Sequence, residues 1–278
     1  MFGFLAAAGS ALAWGSYIVP FKKSPSSNIA LFQTMMTIGV FLFALIVSPL
    51  IGYPLSLNIY GIAGGILWGI GNMLSLKAVS ELGISLAMPV WVSVVVIGSF
   101  LYGILLFHEL PSGILLGLFG VVFIIFGVIF IGTTGKSERK NIRQGITAAV
   151  IAGICFASQL VPLKIAKLTS AEFFFPMSVG ILLFGVGFAL YKKVKFTNEA
   201  IGKSLLCGGM WSVGNLLSII AVSILGLAKG LPLTQSAVLI AVLWGLFYFK
   251  EITKSSEVKK VIVGSIILLS GVIILGLA

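Results

Sequence analysis

Ten apolar stretches, each long enough to cross a bilayer as a helix, constrain the fold of this chain more than any other feature. Their approximate bounds are 3–21, 29–49, 59–79, 84–106, 113–133, 145–163, 173–191, 201–222, 227–249 and 259–277. Hydrophobic residues make up 59% of the chain and charged residues 9%, whereas soluble domains are about half apolar and about a quarter charged. A soluble core of this size could not hide so much apolar surface, so the sequence predicts an all-α membrane protein with ten transmembrane helices.

The second half of the chain repeats the first at an offset of 142–144 residues. Matching segments are 19–22 (VPFK) with 161–164 (VPLK), 78–83 (AVSELG) with 221–226 (AVSILG), 107–110 (FHEL) with 249–252 (FKEI), and 127–132 (GVIFIG) with 271–276 (GVIILG). Because each half holds five helices, the second copy should be inverted relative to the first. We therefore predict a first five-helix repeat over 1–135, a basic cytoplasmic linker over 136–144 and a second five-helix repeat over 145–278.

Positive charge is concentrated on one side of the predicted bundle. Of the 18 Lys and Arg residues, 15 lie in or beside the loops that follow odd-numbered stretches. The positive-inside rule places these loops in the cytoplasm and both termini outside the cell membrane. The net charge of +11 thus has an explanation in membrane topology and does not require a nucleic-acid partner.

A labelling experiment checks this orientation. A cysteine placed near residue 138, in the predicted linker, should react with an impermeant thiol reagent only from the cytoplasmic side, because that loop carries much of the positive charge. Labelling of intact cells from outside would contradict the predicted topology.

Acidic side chains do not enter the apolar stretches. The chain has no Asp, and all seven Glu residues lie at or beyond a predicted helix end. Acidic groups buried in the membrane usually mark ion or cation sites, so the sequence argues against a cation–proton antiporter. The sequence leaves two transport modes open: facilitated diffusion, or ion-coupled transport through a helix-end group such as Glu81 or Glu172.

Neutral polar and aromatic side chains enter the helices at matching positions of the two halves. On helix 3 they follow i, i+4, i+7 spacing, which is one helix face, and helix 8 repeats that stripe. The candidate substrate-binding residues are Trp14, Ser16, Tyr17, Trp68, Asn72, Ser75, Trp91, Ser93, Ser158, Gln159, Trp211, Asn215, Ser218, Thr234 and Gln235.

These side chains suit a neutral sugar. Amides and hydroxyls both donate to and accept from sugar hydroxyls, while aromatic faces cover the apolar C–H side. They would also suit a small zwitterion if helix ends supplied partial charge. For any single residue, the alternative role is hydrogen bonding between helices without substrate contact.

Four segments carry a family resemblance: 15–23 (GSYIVPFKK), 65–72 (GILWGIGN), 86–90 (LAMPV) and 210–216 (MWSVGNL). They resemble the glucose/ribose uptake porter family, sugar transporters of the drug/metabolite transporter superfamily. The resemblance extends over essentially the whole chain. It implies ten helices in two inverted five-helix repeats and a substrate path among helices 1, 3, 4, 6, 8 and 9.

The combined expectation is a secondary transporter that carries a neutral monosaccharide or similar small polar metabolite by alternating access. The alternative is a broad-specificity metabolite or amino-acid exporter of the same superfamily. A membrane scaffold or receptor is disfavoured by the repeat and the polar interior. No catalytic, metal-ligand or phosphate-loop pattern predicts an enzyme or a cofactor, and Cys155 and Cys207 lie in apolar runs.

The expected partners are a small-molecule substrate, best a sugar, and the lipid bilayer, without nucleic acid. Helices 5 and 10 carry almost nothing polar, so they should be peripheral and face lipid or a second copy. Monomer and homodimer therefore both remain open.

Overall fold

The computed structural model describes residues 1–22, 29–109, 113–132, 141–195 and 201–278. Its α-helices are α1 (Phe2–Ser16), α2 (Val19–Lys22), α3 (Ile29–Leu50), α4 (Ile59–Leu82), α5 (Ile84–Leu106), α6 (Ile114–Gly132), α7 (Ile142–Ser158), α8 (Val161–Ile165), α9 (Ser170–Lys192), α10 (Ile201–Leu225), α11 (Leu227–Thr234), α12 (Ala237–Leu243) and α13 (Ser255–Leu277). A π-helical segment, Trp244–Tyr248, follows α12.

These helices form ten spans that are long and apolar enough to cross a membrane. The spans are α1–α2, α3, α4, α5, α6, α7–α8, α9, α10, α11–α12 with the π segment, and α13. The prediction of an all-α, multi-pass membrane protein with ten transmembrane helices is confirmed.

Three spans that the sequence predicts as single helices are interrupted. The breaks fall at Tyr17, Gln159 and Gln235, each the C-cap of the preceding helix. In the first two spans a proline follows three residues later, at Pro20 and Pro162. Proline lacks the N–H that would bond the carbonyl four residues earlier, so the helix is weakened where the break occurs. Each break places a polar side chain inside its span.

The predicted linker lies only partly within the described residues. Positions 136–140 fall outside them, and α7 begins at Ile142, three residues before the predicted start of the second repeat. Asn141 supplies the cap, since its Oδ1 accepts a hydrogen bond from the Gln144 amide at 3.1 Å. The division into two repeats with these bounds stays a prediction.

The largest helix contacts join the first half of the chain to the second. They come in matched pairs: α4 packs on α7 as α10 packs on α1, and α4 packs on α9 as α10 packs on α3. Helix α3 also packs on its counterpart α9. This interleaving is consistent with an inverted repeat around one shared interior.

Glycine permits the closest of these approaches, where α4 crosses α9. A Cβ added at Gly65 would overlap the carbonyl oxygen of Met177, and a Cβ added at Gly180 would overlap the carbonyl oxygen of Ile62. The backbones thus touch directly, which is how small residues hold membrane helices together.

Helices α6 and α13 lie at the edge of the bundle. They pack mainly on each other, and they are the two least buried of the ten spans. Their outer faces carry exposed apolar side chains such as Leu115, Phe126 and Ile273. The expected peripheral position of helices 5 and 10 is confirmed.

Candidate functional site

A narrow central cavity with about 30 Å³ of free space lies between the two halves of the bundle. Its lining residues are Trp14, Tyr17, Trp68, Met88, Trp91, Phe156, Gln159, Trp211 and Gln235. They come from spans 1, 3, 4, 6, 8 and 9, the six that the family resemblance implies for the substrate path. This space is room for about one or two water molecules and is far below the range of about 300–1,000 Å³ found for small-molecule sites, so the cavity is closed in this conformation.

Seven of the fifteen predicted site residues lie on the cavity wall: Trp14, Tyr17, Trp68, Trp91, Gln159, Trp211 and Gln235. The other eight, Ser16, Asn72, Ser75, Ser93, Ser158, Asn215, Ser218 and Thr234, do not line it. Several of these hydroxyls bond locally instead. Ser75 donates to the Asn72 carbonyl, Ser93 to the Val90 carbonyl and Thr234 to the Leu231 carbonyl.

Two other predicted hydroxyls tie one helix to another. Ser16 accepts a hydrogen bond from Trp244 Nε1 at 3.1 Å. Ser158 and the hydroxyl of Tyr102 lie 3.0 Å apart. Their position indicates that they fix helices around the cavity.

Sequence reasoning missed two lining residues, Met88 and Phe156. Both are apolar, so a search for polar stripes passes over them. Each lies three residues before a predicted site residue, Trp91 and Gln159 respectively, which puts the pairs on one helix face. That i, i+3 spacing is the signal that could have found them.

Tryptophan rings form one side of the cavity. The rings of Trp68 and Trp211 have centroids 4.1 Å apart at 41°, and those of Trp14 and Trp211 are stacked at 6.3 Å. Trp14 Nε1 also donates to the Trp211 carbonyl at 3.3 Å. Because aromatic pairs in such geometries stabilise one another, this cluster is a rigid apolar face.

In the first half, a closed hydrogen-bond network lies directly behind the cavity wall. Asn72 Nδ2 donates to Gln33 Oε1 at 2.6 Å, and Asn72 Oδ1 accepts from the Tyr17 hydroxyl at 3.4 Å. Gln33 Nε2 donates in turn to the Gly69 carbonyl at 3.2 Å. All three side chains are buried. Asn72 therefore holds Tyr17 in position on the wall.

In the second half, the matching positions leave acceptors free. Among the described residues, the side-chain oxygens of Gln159, Asn215 and Ser218 have no hydrogen-bond partner, although all three are buried. Asn215 Nδ2 contacts Met177 Sδ at 3.4 Å, as Asn72 Nδ2 contacts Met36 Sδ. Buried oxygens are normally hydrogen-bonded, and of these three residues only Gln159 lies on the cavity wall, where a ligand could supply the donor.

The cavity wall carries no formal charge, since none of its nine residues is acidic or basic. Within the described ranges, no group of three His, Cys, Asp or Glu residues could hold a metal ion. The available interactions are hydrogen bonds to amide and phenol groups and contacts with aromatic faces.

Comparison with known proteins agrees with this architecture. The model of one family, described as "Sugar transport protein", matches residues 5–278. The chain is 26% identical to the glucose uptake protein of Bacillus subtilis, over 96% of each chain. It is 31% identical to a Streptococcus agalactiae protein whose name describes sugar uptake, over 100% of this chain and 99% of that one.

A crystal structure of another protein shares the fold, with a TM-score of 0.67 at 12% identity, over 99% of this chain and 96% of that one. The family match confirms the sugar-porter resemblance that the four sequence segments indicated. Since it spans nearly the whole length, the chain belongs to the sugar transport protein family.

Proposed function

We propose that this sugar transporter carries a neutral monosaccharide by alternating access, with the central cavity as its binding site. The observation that supports this most is the composition of the wall, which combines tryptophan faces with amide and phenol groups and has no charge. A sugar ring has the same two characters, an apolar C–H face and a rim of hydroxyls.

Gln159, on the cavity wall, is the proposed acceptor for a sugar hydroxyl. Its side-chain oxygen is buried without a partner, and a sugar hydroxyl would supply the missing donor. Trp68 and Trp211 would cover the apolar face of the ring. In this proposal Asn72 acts through Tyr17, because its own polar atoms are already bonded.

The wall disfavours the amino-acid exporter. A zwitterion brings a carboxylate and an ammonium, and burying a charge without a partner is strongly unfavourable. The cavity offers neither an acidic nor a basic side chain to meet them. The names of the relatives describe uptake, so we propose transport into the cell.

Transport by the purified full chain in proteoliposomes tests the proposal. A labelled panel of neutral hexoses, pentoses and amino acids should give saturable uptake of a hexose or pentose, with competition by the unlabelled sugar and none by amino acids. Protein-free liposomes are the control. Saturable amino-acid transport without sugar transport would favour the exporter instead.

A further inference from the structure

One end of the bundle is closed by an acidic side chain that caps a helix from the other half. Glu251, after the π segment, accepts hydrogen bonds from the backbone amides of Ile84 and Ser85 at 2.8 Å each, at the N-terminus of α5. The same carboxylate pairs with Lys22 at the end of α2. The Lys22 ammonium lies over the ring of Phe249, 5.1 Å from its centroid.

The opposite end repeats this arrangement with the halves exchanged. Glu109, after α5, accepts from the backbone amides of Leu227 and Ala228 at 3.2 and 2.7 Å, at the N-terminus of α11. Lys164, at the end of α8, pairs with Glu109 at 2.9 Å and lies 5.8 Å from the ring centroid of Phe107.

We name these the Glu251 cluster (Lys22, Ile84, Ser85, Phe249, Glu251) and the Glu109 cluster (Lys164, Leu227, Ala228, Phe107, Glu109). Spans 1 and 6 run in opposite directions in the predicted topology, so Lys22 and Lys164 mark opposite membrane faces. Each cluster ties the fourth helix of one repeat to the fourth and first helices of the other.

The hydrogen bonds and the ion pair of each cluster hold the helices together but can be replaced by water. A carboxylate is stabilised at a helix N-terminus by the exposed amides and the helix dipole, and a lysine completes its neutralisation. The Glu251 and Glu109 side chains are 9% and 16% exposed, so solvent screens them only partly. Water that enters either end can replace these hydrogen bonds without leaving a charge buried.

We propose that the two clusters are the gates of the cavity, the Glu251 cluster on the face that Lys22 marks and the Glu109 cluster on the face that Lys164 marks. This inference rests on the proposed alternating access. Because the clusters have nearly the same composition, breaking either one requires similar free energy, which keeps two oppositely open conformations close in energy. Both gates are formed in the structure described.

One difference between the gates sets a preferred direction. Ser85 Oγ donates a further hydrogen bond to Glu251, whereas the matching residue in the Glu109 cluster is Ala228, which has no hydroxyl. The Glu251 gate is therefore the stronger one, and the empty carrier should open more often at the Glu109 gate. With the predicted topology that is the outer face, as suits uptake.

Accessibility of the cavity from each face tests this. The reporter is Met88→Cys, on the cavity wall, in a chain with Cys155→Ala and Cys207→Ala, in membrane vesicles of known orientation. Glu251→Gln should raise the labelling rate by a small impermeant thiol reagent from the Lys22 face about ten- to hundredfold, and Glu109→Gln should do so from the Lys164 face. Ser85→Ala should act like Glu251→Gln but only about two- to tenfold.

Matched variants distinguish the loss of a gate from misfolding and from nonspecific charge effects. Lys22→Met and Lys164→Met remove the cation and leave the helix caps intact, and each should shift accessibility in the same direction as the Glu variant of its own cluster. Glu257→Gln is the control, because Glu257 lies in the first turn of α13 but pairs with Lys260 at 3.4 Å on the exposed surface. It should change neither rate.

Two failures can be told apart. If the reporter in the parent chain reacts from both faces, but neither the Glu nor the Lys variants change those rates, the gate assignment is wrong while alternating access stands. If the reporter reacts from one face only, with or without sugar, alternating access itself is wrong and the gate assignment is wrong with it.

Discussion

Gly180→Ala is expected to reduce the yield of folded protein sharply and to lower the Tm of what remains by roughly 5–10 °C. The new methyl group would overlap the carbonyl oxygen of Ile62 in α4. Because the obstacle is backbone, no side-chain rotation relieves it, and α4 must move away from α9. That pair carries Trp68 and the Asn72 network, so the cavity would be distorted as well.

Gly187→Ala is the matched control, since Gly187 lies two turns further along the same helix. A Cβ added there meets nothing within 4 Å. Alanine is also the better helix former, so folded yield and Tm should be unchanged or slightly higher. Equal Tm values for the Gly180 and Gly187 variants, measured on detergent-purified protein, would show that the α4–α9 contact is looser than described.

The spans could be predicted from sequence because the bilayer requires about 20 apolar residues for each crossing. Hydropathy does not show how a span is interrupted. The breaks at Tyr17, Gln159 and Gln235 fall inside runs whose average hydropathy stays high. Those breaks position the polar groups of the cavity. Part of the site therefore depends on helix breaks, which a hydropathy average over many residues does not detect.

The internal repeat identified the helices around the cavity but not the roles of paired residues. It treats Asn72 and Asn215 as equivalent. In the structure they differ because Gln33 bonds Asn72, whereas the residue three before Met177, Phe174, offers no polar atom to Asn215. Contacts between helices decide this, and a single sequence does not specify which helices touch.

For the gates, too, the internal repeat does not show which helices contact each other. The repeated segments 107–110 and 249–252 draw attention to Glu109 and Glu251 as equivalent positions. Each glutamate caps a helix that belongs to the other half, more than 100 residues away in sequence. The repeat indicates that the two sites are alike but not which helix each one caps.

Asn72→Ala should destabilise the fold more than it alters the sugar site directly. It would leave Gln33 and the Tyr17 hydroxyl without a bond that each now makes. An unpaired buried polar group costs about 1–3 kcal/mol, so a clear drop in Tm is expected. Ser270→Ala, at the edge of the bundle in α13, is the control and should behave as the parent chain.

Gln159→Leu should have the opposite profile, a loss of sugar affinity with the fold intact. Gln159 Oε1 has no protein partner, so leucine removes no hydrogen bond made by that oxygen and Tm should hold or rise. A bound sugar would then keep one hydroxyl unpaired, which at about 1–3 kcal/mol corresponds to a roughly 5- to 150-fold weaker Kd. Calorimetric binding and thermal melting on the same purified samples separate the two profiles. Parent-like affinity in Gln159→Leu would remove Gln159 from the site, whereas weakened affinity at an unchanged Tm would establish it as the acceptor.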